Sequence, residues 1–316
     1  MSRLIPPFDF HTVVVSPWTE AFGTYGWMVL MAFLVTATCG LVGNYLILRR
    51  MALVGDAISH SVLPGLAVAY LFTGALSIPV MFAGALAAGM LTAVLIEFIH
   101  TRSRIKADAA IGITFCTLFA LGVVIINVYA SRVHLDTDCV LYGELSYLMK
   151  GSNEIAPRPV LVMGGVGLVV ALLVIFFYKE LLVSSFDASL AASLGFSPKI
   201  IHLALMAVLS IVIVSAFESV GAILVIAMLI LPGATSQLLS TRLPVCLWLS
   251  VVHAVFSAVG GLHLSLWLQC SMAAAVVVAG AGLFVLAWLF GPQGLARRLL
   301  RPVVSKAEVA PDGAAG

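Results

Sequence analysis

Apolar residues run along this chain in blocks, interrupted by short clusters of Arg, Lys, Pro or Gly. A helix needs about 20 predominantly apolar residues to cross a bilayer. Blocks of that kind fall near 26–48, 52–72, 78–99, 109–130, 160–179, 200–217, 220–240, 244–262 and 266–290. The pattern predicts nine membrane spans, or eight if two of the last three, which little polar sequence separates, run together. Gly and Ala recur inside the blocks, at Gly84–Gly89, Gly164–Gly167 and Ala279–Gly282. In lipid such residues let helix backbones approach closely.

Composition makes the membrane reading hard to avoid. The 316 residues are 62% hydrophobic and 9% charged, with a mean hydropathy of +1.16. Soluble domains carry roughly 25% charged residues, so this chain could not cover a water-exposed surface. A soluble enzyme and a disordered chain are excluded together. The net charge of +2 leaves no basic field to attract nucleic acid. The fold class is therefore all-α, a polytopic membrane protein. Five cysteines, Cys39, Cys116, Cys139, Cys246 and Cys270, include no CxxC pair and indicate no disulfide framework. The first 25 residues, with Pro6, Pro7 and Pro17, do not read as a cleavable signal peptide.

Charge also orients the chain, because Lys and Arg concentrate in cytoplasmic loops. Alternation across nine spans puts Arg49, Arg50, Arg102, Arg104, Lys106, Lys179, Lys199, Arg242, Arg297, Arg298, Arg301 and Lys306 on one side. Only Arg3, Arg132, Lys150 and Arg158 fall on the other. The expected organisation is an extracytoplasmic segment 1–25, a transmembrane domain 26–290 and a cytoplasmic tail 291–316.

Two connections are long. The outer one, 131–159, is net acidic and holds His134, Asp136, Asp138, Cys139, Glu144 and Glu154. The inner one, 181–199, repeats Phe186, Leu190 and Leu194 every four positions, which predicts one short helix with an apolar stripe. Gly195 stands where that helix should stop, and Pro198 follows. Such a helix either rests on the membrane interface or docks a cytoplasmic partner.

Ionisable residues inside a span cost about 2.5–3.5 kcal/mol at its centre and mark functional sites. The densest group lies in Gly55-Asp56-Ala57-Ile58-Ser59-His60-Ser61-Val62-Leu63-Pro64-Gly65. Asp56 and His60 are four apart and share one helix face. A carboxylate and an imidazole there supply half a site for a borderline divalent cation, or else pair with each other and lock two helices. Ser59 could add an oxygen, and Pro64 frees a carbonyl one turn back. Glu97 and His100, three apart, face a pathway or snorkel to the interface. His253, alone in mid-block, reads as a satisfied packing residue. No H-E-x-x-H is present, and no lysine follows a glycine, so there is no P-loop. Any ATP would be bound by another subunit.

Arg49-Arg50-Met51-Ala52-Leu53-Val54 together with the Gly55–Gly65 run resembles the signature of the manganese/zinc/iron permeases of bacterial ABC importers. Asp108–Ile113, Phe186-Asp187 with Ala191, Leu194 and Gly195, and Val220–Val225 continuing to Leu231-Pro232-Gly233-Ala234-Thr235 resemble further segments of that family. Two departures stand out. Ser271 and Ala273 occupy a stretch where the family usually has Pro-x-Gly, whereas Leu135–Glu144 looks like the manganese branch.

The resemblance implies the multi-helix fold of cobalamin and siderophore importers, in the bacterial inner membrane. It implies an ATP-driven permease subunit with no cofactor of its own, carrying manganese, zinc or iron. Asp56 and His60 would bind the metal, with Ser59 and Glu97 as weaker candidates. Phe186, Asp187, Leu190, Ala191, Leu194 and Gly195 would couple to a cytoplasmic ATPase. The other implied partners are an extracytoplasmic solute-binding protein and a second permease subunit, identical or a paralogue. Two other classes compete: an ATP-independent carrier, for which inverted repeats are not visible, and a membrane enzyme, for which no nucleophile constellation is present.

Overall fold

The structure is a computed structural model that describes residues 6–20, 22–74, 78–129 and 157–292. Residues 131–156 of the expected outer loop, His134, Asp136, Asp138, Cys139, Glu144 and Glu154 among them, lie outside the described residues, as does most of the 291–316 tail; the loop's last two positions, from Arg158, are already helical. All regular structure among the described residues is helical. A π-helical turn (His11–Val15) and α1 (Ser16–Thr19) lead into α2 (Phe22–Leu48), α3 (Val54–Thr73), α4 (Ile78–Arg102) and α5 (Ala107–Tyr129). These are followed by α6 (Arg158–Phe176), the short α7 (Tyr178–Phe186) and α8 (Ala188–Ser193), then α9 (Pro198–Leu239), α10 (Leu243–Leu268) and α11 (Met272–Phe290).

Eight helical stretches among the described residues are long and apolar enough to cross a membrane, and Leu224–Leu239 is a shorter apolar helix. The hydropathy blocks located these elements, but some limits move. The first helix begins at Phe22 rather than 26. The boundary between the last two falls at Gln269, whose left-handed backbone (φ 53°) ends α10. Residues 266–268 therefore belong to α10.

The blocks expected at 200–217 and 220–240 are joined without a loop in α9. Forty-two helical residues would measure about 63 Å if straight, twice the roughly 30 Å hydrocarbon layer. Gly221 breaks them with φ 74° and ψ 166°. A Cβ on Gly55 would meet both Leu229 Cδ2 and, at 3.9 Å, Ile213 Cδ1. Sixteen residues of straight helix would set those two positions about 24 Å apart, so the chain folds back at Gly221. A left-handed residue with a free ψ is required there, and glycine supplies it without steric cost.

The second arm of α9 (Leu224–Leu239) then packs along α2, so closely that a Cβ on Gly43 would overlap the Leu229 carbonyl. Buried polar side chains tie this interface. Asn44 Nδ2 donates to Ser250 Oγ on α10 at 2.7 Å, and Asn44 Oδ1 accepts from Ser236 Oγ at 3.0 Å. Ser250 also donates to the Pro232 carbonyl at 3.2 Å. Each group finds a partner in an apolar interior where an unmade hydrogen bond costs about 1–3 kcal/mol. Around this core of α2, α9, α10 and α11, helices α3, α4 and α5 form a second group, with α3 packed against both others. The N-terminal segment caps the end of α10: His263 Nδ1 lies 2.8 Å from the Val13 carbonyl, and Trp267 Nε1 donates to the Pro6 carbonyl.

Candidate metal site and docking segment

Helix α3 begins after a sharp turn in which Arg50 adopts φ 58°. A left-handed non-glycine residue is uncommon and costs on the order of 1–3 kcal/mol, a strain typical of functional segments. Asp56 follows in the first turn of α3. Its neighbour Gly55 packs at the level of Ile213 and Leu229. Ile213 lies about 22 Å along its arm from Pro198, and Leu229 about 15 Å along its arm from Leu239. The start of α3 thus sits about two-thirds of the way along each arm toward the break at Gly221.

His60 Nε2 lies 3.3 Å from Asp56 Oδ1, and the two side chains are 28% and 41% exposed. Two donors bound to one ion at about 2.1 Å each stand roughly 3.0–3.4 Å apart, so the pair can share a divalent cation with little movement. Phe115 and Phe119 of α5 hold the imidazole, with ring centroids 5.0 and 5.7 Å away. Pro64 lacks the N–H that would bond the His60 carbonyl, which adds a backbone acceptor beside the ring. Ser59 points elsewhere: it is buried and its hydroxyl donates to the Gly55 carbonyl at 2.9 Å. Among the described residues no group of three or more His, Cys, Asp or Glu side chains could hold an ion. Two protein donors on a partly exposed face suit transient binding, which conduction requires.

Glu97 is drawn into a different cluster from the one its sequence neighbours suggest. Its Oε2 lies 3.3 Å from His202 Nε2 on α9, while His100 Nδ1 lies 3.4 Å from the Ile105 carbonyl. Arg49 completes the group, with Nη1 3.4 Å from His202 Nδ1 and further bonds to Ser184 and Ser185 of α7. Sequence reasoning missed His202, Ser184 and Ser185, and read Arg49 as a marker of sidedness and the head of the signature run, not as part of a cluster. The partners are 105 to 153 positions apart, and no local spacing announces them.

The single short helix expected over 181–199 is two. Asp187 is extended (φ −146°, ψ 103°) and separates α7 from α8. Its Oδ1 accepts from the backbone N–H of Ser189 (2.9 Å) and Leu190 (3.1 Å) and from the Ser189 hydroxyl (2.6 Å). This is an N-cap, which favours starting a new helix over continuing the old one. These bonds, the Ser189 hydroxyl first, hold the carboxyl below its usual range. Phe186, Leu190 and Leu194 remain exposed, Ala191 is fully buried, and Gly195 ends the segment with φ 88°. His253 also departs from expectation: it is buried, yet neither ring nitrogen has a hydrogen-bond partner.

Residues 23–291 match the ABC 3 transport family. The chain is 39% identical over 281 residues to the manganese transport system membrane protein MntD of Bacillus subtilis, covering 87% of this chain and 95% of that protein. It is 41% identical over 278 residues to the zinc transport system membrane protein TroD of Treponema pallidum, covering 86% and 76%. The solved structure of PsaBC from Streptococcus pneumoniae in complex with Fab superposes with a TM-score of 0.75 at 32% identity, covering 93% of this chain and all of that one. The helix order, the fold and these matches over most of the length agree: the chain belongs to the ABC 3 transport family of membrane permeases.

Proposed function

We propose that this chain is the membrane subunit of an ATP-driven importer of a divalent transition metal ion, manganese first, zinc or iron next. The observation that carries the reading is the Asp56–His60 pair, two metal-compatible donors 3.3 Å apart on a partly exposed helix face. Relatives named for manganese and zinc transport support the cargo class. An extracytoplasmic binding protein delivers the ion, and a second permease subunit, identical or a paralogue, closes the path around the half-exposed pair.

The N-terminus lies outside and the C-terminal tail in the cytoplasm, as the distribution of basic residues supports. The exposed apolar residues Phe186, Leu190 and Leu194, with Asp187, Ala191 and Gly195 shaping the segment, then face a cytoplasmic ATPase. Nucleotide-driven movement of that segment switches the path. Glu97 acts at the Arg49 cluster rather than on the ion, and Ser59 supports the helix.

Uptake of radiolabelled manganese by cells expressing Asp56→Ala or His60→Ala tests the site. Both variants should insert at normal levels and lose uptake. Normal uptake by both would overturn the assignment.

A further inference from the structure

A groove runs between α6 and the first arm of α9 (Pro198–Phe217). At the end lined by Tyr45 and Glu180 it holds a cavity of about 360 Å³. A second cavity of about 380 Å³ shares Val170, Leu173 and Val208 with the first and continues to Leu161 and Ile211. From Ile200 to Ile211 the groove follows α9 for about 16 Å, the depth of one leaflet, roughly half of a 30 Å hydrocarbon layer. Leu161, Phe177 and Ile200 on its rim are exposed, so it opens sideways to whatever surrounds the helices.

Its polarity is confined to one end. Tyr45 and Glu180 both line the first cavity, and there the Tyr45 hydroxyl and Glu180 Oε2 are buried with no hydrogen-bond partner. Buried polar groups are almost always paired. Water could serve these two atoms but has no partners along the apolar walls beyond them.

We propose that the groove binds one acyl chain of a phospholipid whose headgroup carries a primary amine, phosphatidylethanolamine. The chain lies along Val170, Leu173 and Val208. The ammonium donates to Glu180 Oε2, and the Tyr45 hydroxyl donates to an ester or phosphate oxygen. Lys179 and Lys199, exposed beside Glu180 and Ile200, offset the phosphate charge. An anionic headgroup without an amine would meet an unpaired carboxylate, and a choline headgroup has no N–H to donate. Basic pockets select anionic lipids; here the lysines are exposed and the buried, unpaired group is a carboxylate, which an amine satisfies.

The full chain, stripped of lipid by detergent exchange, would be equilibrated with equal amounts of phosphatidylethanolamine, phosphatidylcholine and phosphatidylglycerol of matched acyl chains. Native mass spectrometry would count the lipid retained. Wild type should retain phosphatidylethanolamine about tenfold over either other lipid, the factor one charge-assisted hydrogen bond supplies. Glu180→Gln should bring the three to near parity. A Cβ at Gly165 would meet nothing within 4 Å, and Gly165 lines the groove. Gly165→Phe should therefore expel all three lipids while leaving the melting temperature without lipid unchanged. Equal retention of the three lipids by wild type, a preference for phosphatidylglycerol, or wild-type retention by Gly165→Phe would each overturn the proposal.

Discussion

Arg49 Nη2 donates to Ser184 Oγ at 2.7 Å, joining the end of α2 to α7, the helix that leads into the proposed docking segment. Its Nε donates to Ser185 at 3.1 Å, and the same guanidinium meets the His202–Glu97 pair. Four helices, α2, α4, α7 and α9, thus share one charged node, seven residues before Asp56. Arg49→Ala should lower thermal stability by about 2 kcal/mol, typical for hydrogen bonds to a charged group. Lysine has no fork to reach both serines, so Arg49→Lys should fall between. Melting in detergent reads the first effect. The ratio of metal transported to ATP hydrolysed in the assembled importer should fall in parallel. An unchanged ratio in Arg49→Ala would mean that the node is structural only.

The rings of Phe115 and Phe119 fix the His60 imidazole. Aromatic contacts of this kind contribute about 0.5–1.5 kcal/mol beyond area burial. Phe115→Ala should raise the half-saturating metal concentration for uptake roughly 2- to 10-fold, with Asp56 and His60 untouched. Phe115→Leu, which keeps bulk without a ring, should recover part of the loss. Concentration-dependent uptake of labelled manganese checks both variants.

Gly43 and Gly55 lie against the same residue, Leu229, but against different parts of it. A Cβ on Gly43 would overlap the Leu229 carbonyl and stand 2.9 Å from its carbon, while one on Gly55 would strike the movable tip of the side chain. Alanine gains up to about 1 kcal/mol over glycine in either helix. Overpacking costs about 1–3 kcal/mol, with the high end expected where backbone must shift. Gly43→Ala should therefore destabilise by about 2 kcal/mol, and Gly55→Ala should be close to neutral. Melting temperatures of the two variants in one detergent make the comparison.

Much of this arrangement was legible in the chain, and the exceptions share a cause. Span positions follow from hydropathy because lipid imposes one length and one composition on each crossing helix. Asp56 and His60 follow from a four-residue spacing that any helix brings together. The reversal between the 200–217 and 220–240 blocks also follows from hydropathy, but not that one residue makes it: Gly221 in an apolar run looks like the packing glycines around it. The apolar stripe of Phe186, Leu190 and Leu194 predicted one helix because periodicity is blind to a single extended residue. The Asp187 cap, readable as Asp with Ser two positions on, was the stronger signal. The Arg49 cluster depends on tertiary neighbours alone, and so does the unpaired His253.

Asp187 makes the start of α8 sensitive to acid in a defined direction. Its carboxylate accepts three hydrogen bonds and is held below the ordinary range. The folded value is therefore lower than that of the free chain. The cap's contribution is fully present above the ordinary carboxylate pKa of about 3.9 and is lost as pH falls through the lower folded value. At neutral pH the cap is intact, so uptake should not vary between pH 6 and 8 through this residue. Asp187→Asn keeps an oxygen acceptor but cannot titrate, and should show no acid step. Asp187→Ala removes the acceptor at every pH. Hydrogen exchange at the Ser189 and Leu190 amides, corrected for intrinsic rates, distinguishes the three. Protection should fall only in acid for wild type, stay level for Asp187→Asn, and be low throughout for Asp187→Ala. If the α8 geometry carries the ATPase contact, Asp187→Ala alone should also lower metal-stimulated ATP hydrolysis at pH 7.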